Sequence, residues 1–348
     1  MLAADTSAVA GSATVALLTP FAWKQIVVPV EPFLQAVADG LAEQIHAFDS
    51  DIAPYAEYAL TGQGKQLRPV LVALSASATG KIRDDHILAA VIVEMVHLAT
   101  LVHDDVVDEA ELRRGRATLA ANWGNEISVL LGDCLFAHAL KLAASFSTPD
   151  ICRAVAAATN RVCAGEILQT QRRRNLQLAR HEYFKAVEMK TGELFALSCE
   201  LGGFLNGATA TQQNALRRFG LALGTAYQIY DDCLDLFGTE AAAGKSLGTD
   251  LANGKLTLPL LLVLEQAGGA ERAKLEHLVQ GWGPHDFAQV RLLLESHAAL
   301  NRSRQVIRQY LLAAQQALRE VPAGEDRAGL YGLIGYLAQQ TDALGDLP

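Results

Sequence analysis

The stretch His86-Ile-Leu-Ala-Ala-Val-Ile-Val-Glu-Met-Val-His-Leu-Ala-Thr-Leu-Val102 decides the fold class. Its apolar residues Ile87, Val91, Met95, Ala99 and Val102 recur at spacings of three and four, which places them on one face of a helix. Similar periodicity predicts helices over roughly 126–146, 151–174, 182–204, 212–237, 256–267, 286–298, 302–320 and 328–342. No proline interrupts the chain between Pro69 and Pro149, or between Pro149 and Pro259. Such runs, rich in Ala, Leu, Glu, Gln and Arg, favour long helices. Alternating patterns bounded by turns, the mark of strands, are scarce. The expectation is an all-α protein.

Composition agrees. Of 348 residues, 51% are hydrophobic and only 6% aromatic, so the core must be built from Ala, Leu and Val. At roughly 100–200 residues per domain this length allows one large domain or two ordinary ones. The sequence shows no linker and no fixed-period repeat. Segment 1–30 has weak periodicity and reads as an N-terminal extension of uncertain order, leaving 31–348 as a single domain. Two loops are expected, one over Leu60–Pro69 and one over Gly238–Lys255. The net charge of -9 argues against a nucleic-acid binder and against a membrane binder relying on overall charge. The five cysteines, Cys134, Cys152, Cys163, Cys199 and Cys233, form neither a disulfide framework nor a zinc site and suit a reducing cytoplasm. The uncharged stretch Thr6–Trp23 is broken by Gly11 and Pro20 and follows Asp5 rather than a basic segment. It is expected to be neither signal peptide nor membrane span.

One short motif occurs twice: Asp104-Asp105-Val-Val-Asp108, and Asp231-Asp232-Cys-Leu-Asp235 about 127 residues later. Each falls near the C-terminal end of an expected helix. Positions i and i+4 share a helical face, so Asp104 projects with Asp108, and Asp231 with Asp235. Crowded carboxylates repel unless a cation lies between them. Oxygen-only ligands without His or Cys point to a hard divalent ion, Mg²⁺ above all, which usually binds through one or two carboxylates plus substrate phosphates. A single such cluster reads most simply as a solvated helix end. Two copies embedded in apolar sequence do not. Cations sit beside them: Lys65 and Arg68 in a glycine-flanked segment, Arg113-Arg114-Gly115 just after the first motif, Lys190, and Lys245 and Lys255 flanking Asp250. Arg grips phosphate bidentately and Lys serves as a point charge.

The stretches GKQLRP (64–69), HLATLVHDDVVDEAELRRG (97–115), GD (132–133), GEILQ (165–169), KTGELF (190–195), YQIYDDCLD (227–235), GKSLGTD (244–250) and NGKLTLP (253–259) together resemble the trans-isoprenyl diphosphate synthases, or polyprenyl synthetases. They fall in family order over roughly residues 30–345. The resemblance implies a single large helical bundle around a central elongated cavity, usually a homodimer and cytoplasmic. It implies head-to-tail (1'-4) condensation of an allylic diphosphate, farnesyl or geranylgeranyl, with isopentenyl diphosphate. It further implies about three Mg²⁺ per active site, with Mn²⁺ an alternative. Carried over residue by residue, Asp104 and Asp108, supported by Asp105, would hold Mg²⁺ on the allylic diphosphate. Asp231 would bind another, with Asp232 and Asp235 completing that cluster partly through water. Arg113, Lys190 and Lys255 would contact the allylic diphosphate and Lys245 would close over it. Lys65, Arg68, His97 and Arg114 would hold isopentenyl diphosphate. Thr191 and Gln228 would face the forming allylic cation. Gln169 and Cys233 read as structural.

The helix before Asp104 also bears on product length. Thr100, Ala99 and Val96 precede Asp104 by four, five and eight residues, or roughly 6, 7.5 and 12 Å. Short-chain members of the family often carry a bulky aromatic at the four- or five-residue offset. Here Ala99 and Thr100 leave the path open, and Phe136 on the next helix is the candidate for a deeper floor. The first motif has no two-residue insertion, and DEAELRRGRATLAANWGN (108–125) looks most like medium- or long-chain synthases, whose apolar products enter membranes. The alternatives are a short-chain synthase, a class I terpene cyclase, which would not need GKxxRP or the second DDxxD, and a non-catalytic synthase subunit, which should have lost aspartates or the RRG.

Overall fold

The computed structural model describes residues 22–61, 64–243, 246–321 and 327–345. Its described residues are helical almost throughout, as the periodicity requires. The helix Asp84–Val107 lies at the centre and packs against Glu31–Ile45, Leu67–Thr79, Asn125–Ala143 and Glu193–Phe204. A second long helix, Ala210–Phe237, packs against Glu193–Phe204 on one side and Ala299–Ala317 on the other. The core is Ala-, Leu- and Val-rich, with Phe195 and Phe219 among its largest fully buried side chains. Each such ring contributes about 1.5–3 kcal/mol by leaving water.

The helices Asn125–Ala143, Pro149–Gln171, Ala210–Phe237, Leu258–Gln266, Phe287–Ser296, Ala299–Ala317 and Ala328–Asp342 fall where periodicity puts them. Three departures stand out. First, the segment read as a loop over Leu60–Pro69 turns helical at Leu67, after Gln66 in a left-handed conformation (φ 44°). Pro69 is in the first turn, where a missing N–H costs nothing. Second, the helix expected over 182–204 is three pieces: Arg180–Val187, a π-helical turn Glu188–Gly192, and Glu193–Phe204. Third, Glu31–Ile45, Ala53–Leu60 and Gly269–Gln280 are further helices, and the glycine-rich segment after Phe237 contains the short helix Thr249–Ala252. Of the N-terminal segment set apart by sequence, residues 23–30 are helical, with Ile26 and Val30 buried in the core, and 1–21 lie outside the described residues.

Among the described residues, Asp84–Val107 is long and apolar enough to cross a membrane, with mean hydropathy 1.7 over its most apolar window. Two-thirds of that window is buried inside the protein, which accounts for its apolarity.

Candidate active site

Both aspartate motifs end their helices, and the intervening chain delivers cations onto them. Asp108 sits between two: Lys255 Nζ is 2.6 Å from Oδ2 and Arg173 Nη2 is 2.6 Å from Oδ1. Burial pushes the Asp108 carboxyl up, but Lys255, Lys190 and Arg173 outweigh it and hold it below its ordinary range. Asp104 faces Lys190, whose Nζ lies 3.5 Å away. Lys190 also pairs with Glu166 and donates to Gln169 Oε1 at 3.2 Å. Burial pulls the Lys190 ammonium down, yet Asp104 and Glu166 override it and raise its pKa above the ordinary value. Lys190 therefore stays charged. The π-helical turn presents it, and Gly165 makes room: a Cβ there would stand 2.7 Å from the Lys190 backbone nitrogen. Behind the turn, buried Glu193 is paired with Arg161 (3.0 Å) and Arg217 (2.5 Å).

The second motif divides. Asp231 is partly exposed, whereas Asp232 and Asp235 are buried. Asp232 accepts from the Tyr183 hydroxyl and from Gln228 Nε2 (2.9 Å), and Gln228 Oε1 accepts from Thr191 (2.8 Å). Burial, reinforced by Asp250, pushes the Asp232 carboxyl up to about 7. Asp235 accepts from Thr249 Oγ1 (2.8 Å), Thr249 N (3.3 Å) and Asp250 N (3.1 Å). It thus caps the short helix Thr249–Ala252, satisfying amides that a helix start leaves orphaned. That helix leads into Lys255, whose amide donates to Asp250 O (2.8 Å). The second motif therefore anchors the segment whose lysine reaches the first.

The Arg113-Arg114-Gly115 segment forms a two-residue hairpin, with Leu112 opposite Ala117 and Arg113 opposite Arg116. Arg114 (φ 54°) and Gly115 (φ 74°) are both left-handed, the pattern of a type I′ turn. For Arg114 this conformation is strained by about 1–3 kcal/mol. The hairpin is held from outside: Tyr58 donates to Ala117 O (2.7 Å), and the Arg116 guanidinium lies 3.5 Å from the Tyr58 ring centroid. Arg113 is committed to Asp105, with Nε and Nη2 both 2.8 Å from Oδ1.

A second basic cluster lies against the same central helix. Arg68 stacks over Phe195 (5.3 Å), its Nε buried without an acceptor among the described residues. Burial pulls its pKa below the ordinary arginine value, with Glu94 opposing. Burial, then Arg68, Arg114 and Arg113, hold His97 well below its ordinary value, so it is neutral at pH 7. Buried Glu94 has one oxygen without a partner, and burial raises its pKa. Lys65 is exposed and bonds the Tyr336 hydroxyl at 3.4 Å. Val96 and Ala99 are buried, Thr100 is partly so and donates to His97 O (2.6 Å), and the Phe136 ring packs edge-on against His103 (5.5 Å). Lys245 lies outside the described residues.

The structure thus gathers Asp104, Asp108, Lys190 and Lys255 into one group, Arg68, His97 and Arg114 into another, and Thr191 with Gln228 into a direct pair, while Lys65 turns to Tyr336. Sequence reasoning did not single out Glu166, Arg173, Tyr183 or Glu193. Glu166 stood inside the quoted GEILQ stretch, and Arg173 in a run of three arginines just after it. As to metal, the donor set around the motifs is all carboxylate oxygen, with lysine and arginine holding those oxygens as cationic partners. That chemistry suits a hard divalent ion. Among the described residues no three such side chains stand together as a preformed site, so Asp104 and Asp108 on one motif and Asp231 on the other could each offer an oxygen to an ion that the substrate helps to hold.

The polyprenyl synthetase family model matches residues 50–296. The chain is 34% identical over 310 residues to an octaprenyl diphosphate synthase of Haemophilus influenzae, covering 88% of this chain and 94% of that one. It is also 34% identical to a nonaprenyl diphosphate synthase of Mycobacterium tuberculosis, covering 87% and 93%. A polyprenyl synthase of Caulobacter crescentus, solved with calcium and isoprenyl diphosphate, superposes with TM-score 0.87 at 33% identity over 92% of this chain and 98% of that one. On these likenesses the chain belongs to the polyprenyl synthetase family and is an enzyme that transfers prenyl groups.

Proposed function

We propose that this prenyltransferase extends an allylic diphosphate, farnesyl or geranylgeranyl, with successive isopentenyl diphosphate units to a medium- or long-chain all-trans polyprenyl diphosphate. The observation that carries the reading is the placement of Lys255 on Asp108 and of Lys190 on Asp104, with Asp235 of the second motif holding the short segment that delivers Lys255. Asp104, Asp108 and Asp231 would hold Mg²⁺, about three ions per site by family likeness, and Asp232 and Asp235 act behind them. Bound there, the metal would neutralise charge on the leaving diphosphate. Lys190 and Lys255 add fixed positive charge to the same leaving group as the allylic C–O bond breaks, and Lys245, by family likeness, would close over it. Arg113 orients Asp105 and keeps its guanidinium at the edge of this anion site. Thr191 and Gln228, already bonded to each other, present dipoles but no strong nucleophile to the allylic cation. Lys65, Arg68, His97 and Arg114 receive the second diphosphate. Isopentenyl diphosphate then attacks, and the departing diphosphate accepts the proton. The growing tail runs along Thr100, Ala99 and Val96 toward Phe136.

The protein is inferred to act in the cytoplasm as a homodimer. Exposed apolar Val129 and Leu130 on Asn125–Ala143 and Ile167 on the neighbouring Pro149–Gln171 support this, since a second copy would cover them. The test is incubation of the purified protein with farnesyl diphosphate, labelled isopentenyl diphosphate and Mg²⁺. Products longer than geranylgeranyl diphosphate are expected. Products that stop there would instead assign a short-chain synthase, and no elongation would defeat the reading.

A further inference from the structure

We infer that Arg173, from the Arg172-Arg173-Arg174 run after helix Pro149–Gln171, is a latch on the first aspartate motif and a diphosphate-binding residue once that latch opens. The inference rests on the function proposed above and adds a residue to the allylic diphosphate site.

The geometry is specific. Both Asp108 oxygens are taken, Oδ2 by Lys255 and Oδ1 by Arg173. Arg173 Nη1 also donates to Val107 O at 3.3 Å, at the end of the motif helix. Its neighbours are fixed. Arg172 pairs with Glu182 (3.0 Å) and donates to its carbonyl (3.2 Å), and the Arg174 amide donates to Gly254 O (2.7 Å) beside Lys255. The loop is therefore docked, and its middle arginine is aimed at Asp108. Arg173 Nε is buried with no acceptor among the described residues, so the guanidinium carries an unused donor. Lys255 is held more firmly, with Asp250 4.0 Å from its Nζ as well as Asp108.

An oxygen ligand already paired to two cations cannot accept a metal at full strength. For Asp108 to coordinate one, a cation must release it, and Arg173, partly exposed (24%) and bearing the unused donor, is the one with room to do so. A released Arg173 stays beside the motif with Nε and both terminal nitrogens available. A metal-bound diphosphate presents the anionic oxygens that match this fork. Arg173 thus competes with metal on the substrate-free protein and assists diphosphate on the loaded one.

The two roles predict effects of opposite sign. Titration calorimetry should compare wild type, Arg173→Gln and Arg173→Lys, first with Mn²⁺ alone and then with inorganic pyrophosphate at saturating Mn²⁺. Arg173→Gln should bind Mn²⁺ more tightly than wild type. It should bind pyrophosphate about ten-fold more weakly, the size expected for one charge-assisted contact. Arg173→Lys should lie between. A purely structural role would move both affinities the same way, and unchanged affinities would show that Arg173 has neither role. Either result overturns the inference, and if Arg173→Gln does not fold, Arg173→Lys decides by the same signs. A wild-type protein that takes no pyrophosphate with Mn²⁺ would overturn the proposed function itself, and this inference with it.

Discussion

Asp235→Ala separates the two halves of the second aspartate motif. Asp235 is 1% exposed and, among the described residues, accepts three hydrogen bonds, from the Thr249 hydroxyl and from the Thr249 and Asp250 amides. Bonds to a charged acceptor contribute about 1.5–3 kcal/mol each, and stranded buried donors cost a similar amount. Water entering the gap offsets part of this, leaving a net loss of about 3–5 kcal/mol. At about 2.1 cal/mol/K per residue, a chain of 348 residues unfolding as one unit would melt about 4–7 °C lower. Asp231, partly exposed, is the proposed metal ligand, so Asp231→Ala should leave the melting temperature nearly unchanged. The assay is scanning calorimetry with and without Mg²⁺ and pyrophosphate. Asp235→Ala should melt low but retain the rise that those ligands produce, and Asp231→Ala should melt normally and lose that rise. Asp235→Ala melting with wild type, or Asp231→Ala melting as low as Asp235→Ala, would refute the division of roles.

Three further perturbations test other parts of the account. Ala99 is fully buried, roughly 7.5 Å along the helix from Asp104, so Ala99→Phe should shorten the product, as read by chromatography. An unchanged product distribution would rule out the path along this helix. Arg217→Ala leaves buried Glu193 with Arg161 as its remaining cation and should cost about 2–3 kcal/mol by denaturant titration. No measurable loss would show that the pair contributes little. His86 is held below its ordinary value of 6.5, chiefly by burial, with Nδ1 accepting from Arg83 N (3.0 Å) and Nε2 facing Gly202 O (3.3 Å). The unfolded chain then binds more protons, so stability rises with pH between the folded value and 6.5 and is lost as pH falls through that window. His97 contributes in the same sense. A His86→Gln variant should melt with a shallower pH dependence below pH 6.5, and an identical slope would assign the effect elsewhere.

Much of this molecule was legible along the chain. Helical periodicity is a local property, and the motifs declare their carboxylates by spacing alone. What stayed hidden depends on groups far apart in sequence. Lys255 meets Asp108 across 147 residues and Arg173 meets it across 65, distances over which no periodicity carries information. The π-helical turn at Glu188–Gly192 looks like ordinary helix in sequence. Its position reflects the close approach of Gly165 to the Lys190 backbone, a tertiary contact. The helix start at Leu67 was masked by Pro69, which punctuates a helix interior but is harmless in a first turn. Asp235 belongs to the second motif by sequence, yet its carboxylate is spent on Thr249 and Asp250.

In the proposed function the two aspartate motifs act together on one metal-bound diphosphate. Incorporation of labelled isopentenyl diphosphate into an allylic primer measures this directly, in wild type and in a variant carrying both Asp104→Asn and Asp231→Asn. Wild type should elongate the primer only with a divalent metal present, and the double variant, folded by circular dichroism, should not elongate it. Elongation that persists in the double variant, or in wild type after chelation of all metal, would contradict the account.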